Sequence, residues 1–531
     1  MPSARSEGFL GHVFVITLLS SLALAKTSIL WPNPKLDELE SQLYDREGYR
    51  SGILGTGMLP TCITFFDGPN TGRANVGDWV RTAYHDMATY NSTDGTGGLD
   101  GSIRFPEELS RSENAGDGFT NTLRFITPGL NRYFSVADGI AMAAVVAIEM
   151  CGGPAIPFRG GRIDALKPND PGVPEPQQSI EEHISNFARQ GFTQEEMISL
   201  VACGHTFGGV QHTAFPDIAP PSNDANNTSG NAPFDSTFVE FDNKIATEYL
   251  DGTTKNPLVV GHNSTTNSDL RIFSSDNNAT MFSDPAVFRS TCSSLFARMI
   301  DTVPKGIILS DVITPILFKP VEVQLVWVGG GNVELWGQVR VWNNLPSQLT
   351  HNAAHVTKPH IPGSPGILNT WVEFPQIVLN ATESISTFWF EVMNGDSFTK
   401  VEDLGGSGYP LQDVVMMSTG TCYTMKNGVL TKLQFAIRAD IQPTRVYARY
   451  DYFEGRVGFG AYPVTGTFDI ARPSDVVTTA GYEIWNVETR FGANPLTIIV
   501  EANGEQFETT FTKDSPFRPG TPGSGHGAPL C

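Results

Sequence analysis

Apolar and polar positions recur with two different periods along this chain. Up to about residue 310 the apolar residues return every three to four positions, the spacing of an amphipathic helix. It predicts helices over 135–150 (SVADGIAMAAVVAIEM), 178–190, 193–210, 235–250 and 284–300, with a further amphipathic stretch at VGDWVRTAYHDM, 76–87. Thr193 followed three residues later by Glu196 is a capping box. Asp284-Pro285 pairs an N-cap with proline at the first helical position. From about residue 311 the period drops to two. In VEVQLVW (321–327), Val321, Val323, Leu325 and Trp327 alternate with Glu322, Gln324 and Val326, and many short strands follow between Gly-, Pro- and Asn-rich turns. The pattern predicts a mainly α domain over 26–310, then an all-β, sandwich-like domain over 311–513. Residues 514–531 are a Pro/Gly-rich tail.

Composition adds a compartment. Basic Arg5 precedes an apolar run at 13–25 that ends in Ala23-Leu24-Ala25, a small-x-small cleavage pattern. Residues 1–25 are therefore expected to be a secretory signal peptide, and the protein extracellular. The run is too short to span a bilayer well, and no later stretch of about 20 apolar residues exists. In that compartment the six cysteines become candidates for disulfides. The sequons at Asn91, Asn226, Asn227, Asn263, Asn278 and Asn380 become candidates for glycans. A net charge of −21 over 531 residues argues against nucleic acid or anionic lipid as a partner.

The candidate chemistry starts at WVRTAYHDM (79–87). On a helix Arg81 and His85, four apart, share a face, and Asp86 points elsewhere. Alone, such a pair is most often a solvated surface. A second histidine, His205, sits in the apolar LVACGHTFGGV (200–210), either as a satisfied core histidine or as a ligand to a buried group. The motifs RTAYHD, GGLDGSI, SENAG, GGPAIPFRGGRID, GHTFGG and NAPFDSTFVEFD occur in this order across roughly residues 45–300. The chain thereby resembles the plant/fungal/bacterial haem peroxidase superfamily, and within it a secreted ascomycete peroxidase of hybrid type carrying an extra C-terminal β-domain.

The resemblance implies one haem b with His205 as axial ligand and Asp276 as the carboxylate behind it. His85 and Arg81 become the pair that handles hydrogen peroxide, and Asn114 the acceptor that orients His85. Tyr84 and Phe234 would pack at the haem. It also implies two calcium ions. One is held by Asp86, Gly98, Asp100 and Ser102, the other by Thr206, Asp235, Thr237, Glu240 and Asp242, all hard oxygen donors. Cys62 and Cys151 match a family disulfide. Cys203 and Cys292 either pair or stay as two buried thiols, and Cys422 and Cys531 are left unassigned.

Departures narrow the substrate. Positions that carry manganese-binding carboxylates in fungal relatives are Arg73, Gly77 and Gln211 here, a surface tryptophan position is Leu200, and a proximal tryptophan position is Phe234. What remains is a general peroxidase that uses hydrogen peroxide and a small aromatic, phenol-like reductant. The β-half matches no motif. It is a candidate for contact with cell-wall polymer through some of Trp327, Trp336, Trp342, Trp371, Trp389 and Trp485, most of which alternate with polar residues as core side chains do. The rival reading is a non-catalytic adhesin or carbohydrate-binding protein on a peroxidase scaffold. A non-haem metal site on His85 and Asp86 lacks further ligands.

Overall fold

The computed structural model describes 31–46, 73–223, 227–281, 283–342, 369–394, 408–425, 429–455, 461–489 and 496–511, with short pieces at 14–15, 50, 52, 62, 72, 353–357 and 397–401. The expected signal peptide (apart from 14–15), Asn226, the tail and Cys531 lie outside the described residues.

The N-terminal half is helical: α1 (Pro34–Tyr44), α2 (Asn75–Met87), α3 (Pro106–Leu109), α4 (Gly118–Ile126), α5 (Val136–Met150), α6 (Ile180–Arg189), α7 (Gln194–His205), α8 (Lys244–Leu250), α9 (Pro257–Val260), α10 (Ser268–Phe273) and α11 (Pro285–Asp301). α5 is apolar nearly all round, and every residue from Val136 to Ile148 is buried, so it forms the centre on which α2 and α4 pack. The capping box on α7 is present, with Thr193 Oγ accepting from Glu196 N and the Glu196 carboxylate accepting from Thr193 N. Asp284 caps α11 by accepting from Ala286 N and Val287 N.

Two expected helices are shorter than their patterns. α7 stops at His205, because the chain then turns through Gly208 at φ 73° into a short strand, Gly209–Gln211, paired with Asn231–Pro233. Of 235–250 only Lys244–Leu250 is helical. Asp235 and Asp242 spend their carboxylates on nearby backbone amides (Thr237 N and Lys244 N), which favours turns over helix. Two disulfides close equal spans of sequence: Cys62–Cys151 and Cys203–Cys292, each 89 residues apart. Cys422 is disulfide-bonded as well.

From Phe318 onward the chain is β. A ten-stranded sheet and a four-stranded sheet pack face to face. Val415, Met417, Leu433, Phe435 and Ile437 of the first meet Val446, Ala448, Ile498 and Val500 of the second. In the strand Phe318–Gly329 the strict alternation expected from the sequence breaks. Val326 is buried on the inter-sheet face while Leu325 and Trp327 are buried on the other, so both faces are covered. A bulge between Val321 and Gln324, with Glu322 at φ 54°, resets the register. Trp327, Trp342, Trp371 and Trp485 are core, Trp336 packs partly buried against it, and Trp389 is 49% exposed.

The two halves are joined through α1. Its Leu39 and Leu43 belong to the helical core. Its Glu40, and Asp45 just after it, reach the β-half, where Arg340 pairs with both and Lys319 Nζ lies 2.9 Å from Glu40. All four are buried. A second bridge runs from Arg132 to Asp451 at 2.7 Å.

Candidate active site

A cavity of about 250 Å3 lies between α2 and α7. Arg81, Tyr84 and His85 line it from α2, Leu200, Gly204 and His205 from α7, with Phe234 and Asp269 beside His205. The two helices are brought together at a glycine pair. A Cβ on Gly77 would sit 3.0 Å from Gly208 Cα, so this approach requires glycine.

Each histidine is tied at Nδ1, but to different chemistry. His85 Nδ1 donates to Asn114 Oδ1 at 2.7 Å. Asn114 Nδ2 donates to Glu108 O at 2.8 Å, which fixes the amide with its oxygen toward His85. Nε2 of His85 is thereby left as the lone-pair nitrogen. Burial, with Arg81 nearby, lowers the imidazole pKa to about 3, so it is neutral at physiological pH. Arg81 is held by the carbonyls of Glu113 and Ala115 and lies 4.5 Å over the ring of Phe119. Burial lowers its pKa to about 10, so it stays charged. Tyr84 stacks on Phe187 at 6.0 Å and reaches Gln190 Oε1 at 3.4 Å; burial raises its phenol pKa.

On the opposite wall His205 Nδ1 donates to Asp269 Oδ2 at 2.8 Å, and Phe234 stacks on the imidazole at 4.1 Å with an 11° tilt. The carboxylate expected here, Asp276, is elsewhere. It accepts from Ala279 N and Thr280 N and closes the turn after α10. Asp269 holds the position because it opens α10, whose Ile272 and Phe273 are buried, while Asp276 lies beyond the helix end. Asp269 shares the buried face of Ile272 and Phe273 at i+3 and i+4, a signal present in NSDLRIF. Asn256, which donates to the same Asp269 oxygen at 2.7 Å, carried no signal in the sequence.

Where a manganese site would need carboxylates, Arg73 bridges Asp78 and Asp117 at 2.7 Å each and Gln211 donates to Asp117. Leu200 is buried, not on the surface.

The two acidic sets differ. In the first, Asp86 accepts from Gly101 N and Ile103 N, and Asp100 from Ser102 N and the Asn169 amide. Burial, then the neighbouring Asp100, pushes the Asp86 carboxyl well up. Gly98 sits at φ 109° against Thr302 O, where a Cβ would lie 2.9 Å away. In the second, Asp235 Oδ2 and Thr237 Oγ1 are buried with no hydrogen-bond partner. Thr206 Oγ1 donates to Asp242 O at 2.8 Å, Glu240 N to Thr237 O, and burial with Asp242 close by raises Asp235 to about 7. Orphaned hard oxygens beside surplus carboxylates fit a bound cation. Among the described residues no group of three or more His, Cys, Asp or Glu side chains is arranged as a metal cage.

Two imidazoles facing each other across an apolar slot, each fixed in one tautomer, fit a flat metal macrocycle. A protein-family profile described as Peroxidase matches residues 65–287. Residues 65–287 are thus similar to the peroxidase family. The chain also has curated relatives. A "WSC domain-containing protein" of Arthroderma benhamiae is 40% identical over 316 residues, covering 59% of this chain and 43% of that protein. "L-ascorbate peroxidase 5, peroxisomal" of Arabidopsis thaliana is 35% identical over 179 residues, 33% of this chain and 58% of the relative. "Cytochrome c peroxidase, mitochondrial" of Yarrowia lipolytica is 34% identical over 136 residues, 24% of this chain and 39% of the relative. The chain thus spans about half the length of the curated relatives it matches. Among the described residues no helix is long and apolar enough to cross a membrane.

Proposed function

We propose that this protein is an extracellular haem peroxidase that reduces hydrogen peroxide with electrons from small phenolic or other aromatic donors. One observation carries the reading: a neutral, amide-tethered His85 and a carboxylate-tethered His205 lie on opposite walls of one cavity, with Arg81 beside the first.

Haem b, when bound, would supply the redox-active iron. His205 holds it, and Asp269 fixes the imidazole tautomer and strengthens its donation. His85 Nε2 takes a proton from one oxygen of hydrogen peroxide and returns it to the departing oxygen, which leaves as water. Asn114 keeps that nitrogen free by occupying the other. Arg81 stabilises the negative charge that develops on the departing oxygen. Two donor molecules each give one electron and one proton, so peroxide ends as two waters. The Arg73 bridge between Asp78 and Asp117 speaks against manganese and leaves organic donors.

Calcium at Asp235, Thr237, Thr206, Asp242 and the Glu240 carbonyl, and at Asp86, Gly98, Asp100 and Ser102, would pin the turns beside His205 and His85. The orphaned Asp235 and Thr237 oxygens support the former. Trp389 is the exposed tryptophan of the β-half, and a cell-wall polymer would meet the protein there. The deciding experiment is a spectrum and an assay on the secreted protein. A Soret band and peroxide-dependent phenol oxidation are expected, both lost on His205→Ala. A colourless protein that binds polysaccharide would instead establish the adhesin reading.

A further inference from the structure

The carboxylate behind His205 has a second claimant. Asn256 is fully buried and caps α9, its Oδ1 accepting from Leu258 N at 2.8 Å. That bond fixes the amide orientation, because the oxygen must face the helix amide. The Nδ2 group therefore faces Asp269, donating to Oδ2 at 2.7 Å. His205 Nδ1 donates to this same oxygen at 2.8 Å. The other oxygen, Asp269 Oδ1, is buried and has no hydrogen-bond partner among the described residues. Asp269 is 1% exposed, so water does not dilute either bond.

We propose that Asn256 is a positioning residue that moderates the axial ligand: its amide draws charge from Asp269 Oδ2 and so limits how strongly that carboxylate pulls the proton of His205. Two donors on one carboxylate oxygen compete, because each bond withdraws electron density that the other would use, and at low local dielectric the competition is strong. With Asn256 in place, His205 donates less to the iron than a carboxylate partner alone would make it donate. Axial ligand and hydrogen bonding around it are the protein's levers on haem potential. The amide also selects which oxygen meets His205, leaving Oδ1 idle.

This inference rests on His205 being the axial ligand, and the test separates the two. Asn256→Ser keeps a cap that accepts from Leu258 N but is too short to reach Asp269; Asn256→Thr is a second variant of the same kind. In either, the iron(III)/iron(II) potential of the haem-loaded protein is expected to shift negative, and the iron–histidine stretching frequency of the ferrous protein to shift upward, with haem content unchanged. In an Asp269→Asn background the same substitutions are expected to produce no further shift, which a merely structural role would not predict. Unchanged potential and frequency in a haem-loaded Asn256→Ser protein would overturn the inference alone. A wild-type protein that takes up no haem, or a His205→Ala protein with an unaltered Soret band, would overturn the functional reading and this inference with it.

Discussion

His85 and His205 are the same residue type, both tied at Nδ1, and the difference between them is one functional group. His85 faces a neutral amide oxygen, which orients the ring without adding charge. His205 faces a carboxylate, which pulls its proton. The first arrangement suits a base that must stay neutral, the second a strong ligand. Because burial depresses the His85 pKa to about 3, the imidazole is unprotonated from neutral pH down through the range where a free histidine titrates. The rate of reaction with peroxide is therefore expected to stay flat from pH 7 to below 6 and fall only at more acid pH. A stopped-flow pH profile with an acid limb near 6.5 would contradict it. His85→Leu should slow that reaction by roughly 10²–10⁴-fold at unchanged haem content, the usual contribution of a general acid–base group. Replacing Asp269 by Ala should alter the ferric spectrum, while Asp276→Ala should leave it as in the wild type; the reverse outcome would restore Asp276 to the site. The sequence made Arg81, His85, Asn114 and His205 legible because each sits in a motif of fixed spacing. It misplaced the carboxylate because the 205–276 stretch is joined by loops, where counting does not tell which acid folds back.

At the scale of elements, periodicity located α5, α6 and α11, and the start of α7, to within one or two residues, because their apolar faces and caps are local properties; the C-terminal end of α7 was overrun by five residues. Periodicity also overran where carboxylates prefer backbone amides, as at 235–243. Those same turns are where calcium removal should act. A ligand bound only by the folded state stabilises it by roughly 2.7 kcal/mol at a hundredfold excess over Kd. Chelation is therefore expected to lower Tm and to perturb the visible spectrum reversibly, and Asp235→Ala to mimic it. Identical Tm and spectrum with and without chelator, or no calcium by elemental analysis, would exclude the ions. The Cys203–Cys292 bridge fastens α7 to α11 two residues from His205. Replacing both cysteines by Ala should cost about 2–4 kcal/mol, read as a lower denaturant midpoint.

The whole molecule is held by charges where its halves meet. Arg340, Lys319, Glu40 and Asp45 form a buried cluster, and Arg132 with Asp451 a second contact. None of this was readable in the sequence, since partners hundreds of residues apart leave no periodic trace. Wild-type protein is expected to unfold in one calorimetric transition. Arg340→Met strands the buried Asp45 carboxylate and leaves Glu40 with Lys319 alone, and breaking such a buried pair costs about 3–5 kcal/mol. The transition should then split, and an unsplit, unshifted peak would show that the halves are joined by something else.

The position of α1 has a consequence for how the protein is made. Glu40 leaves the ribosome 279 residues before Lys319 and 300 before Arg340. At 5–20 residues per second the interval is roughly 15–60 s. Throughout it, the acidic side of α1 has no cation to meet, while Leu39 and Leu43 already have the helical core to bind. The first of the described helices thus completes its contacts among the last. A nascent chain halted before residue 319 would carry a nearly finished helical half with α1 still waiting for a partner.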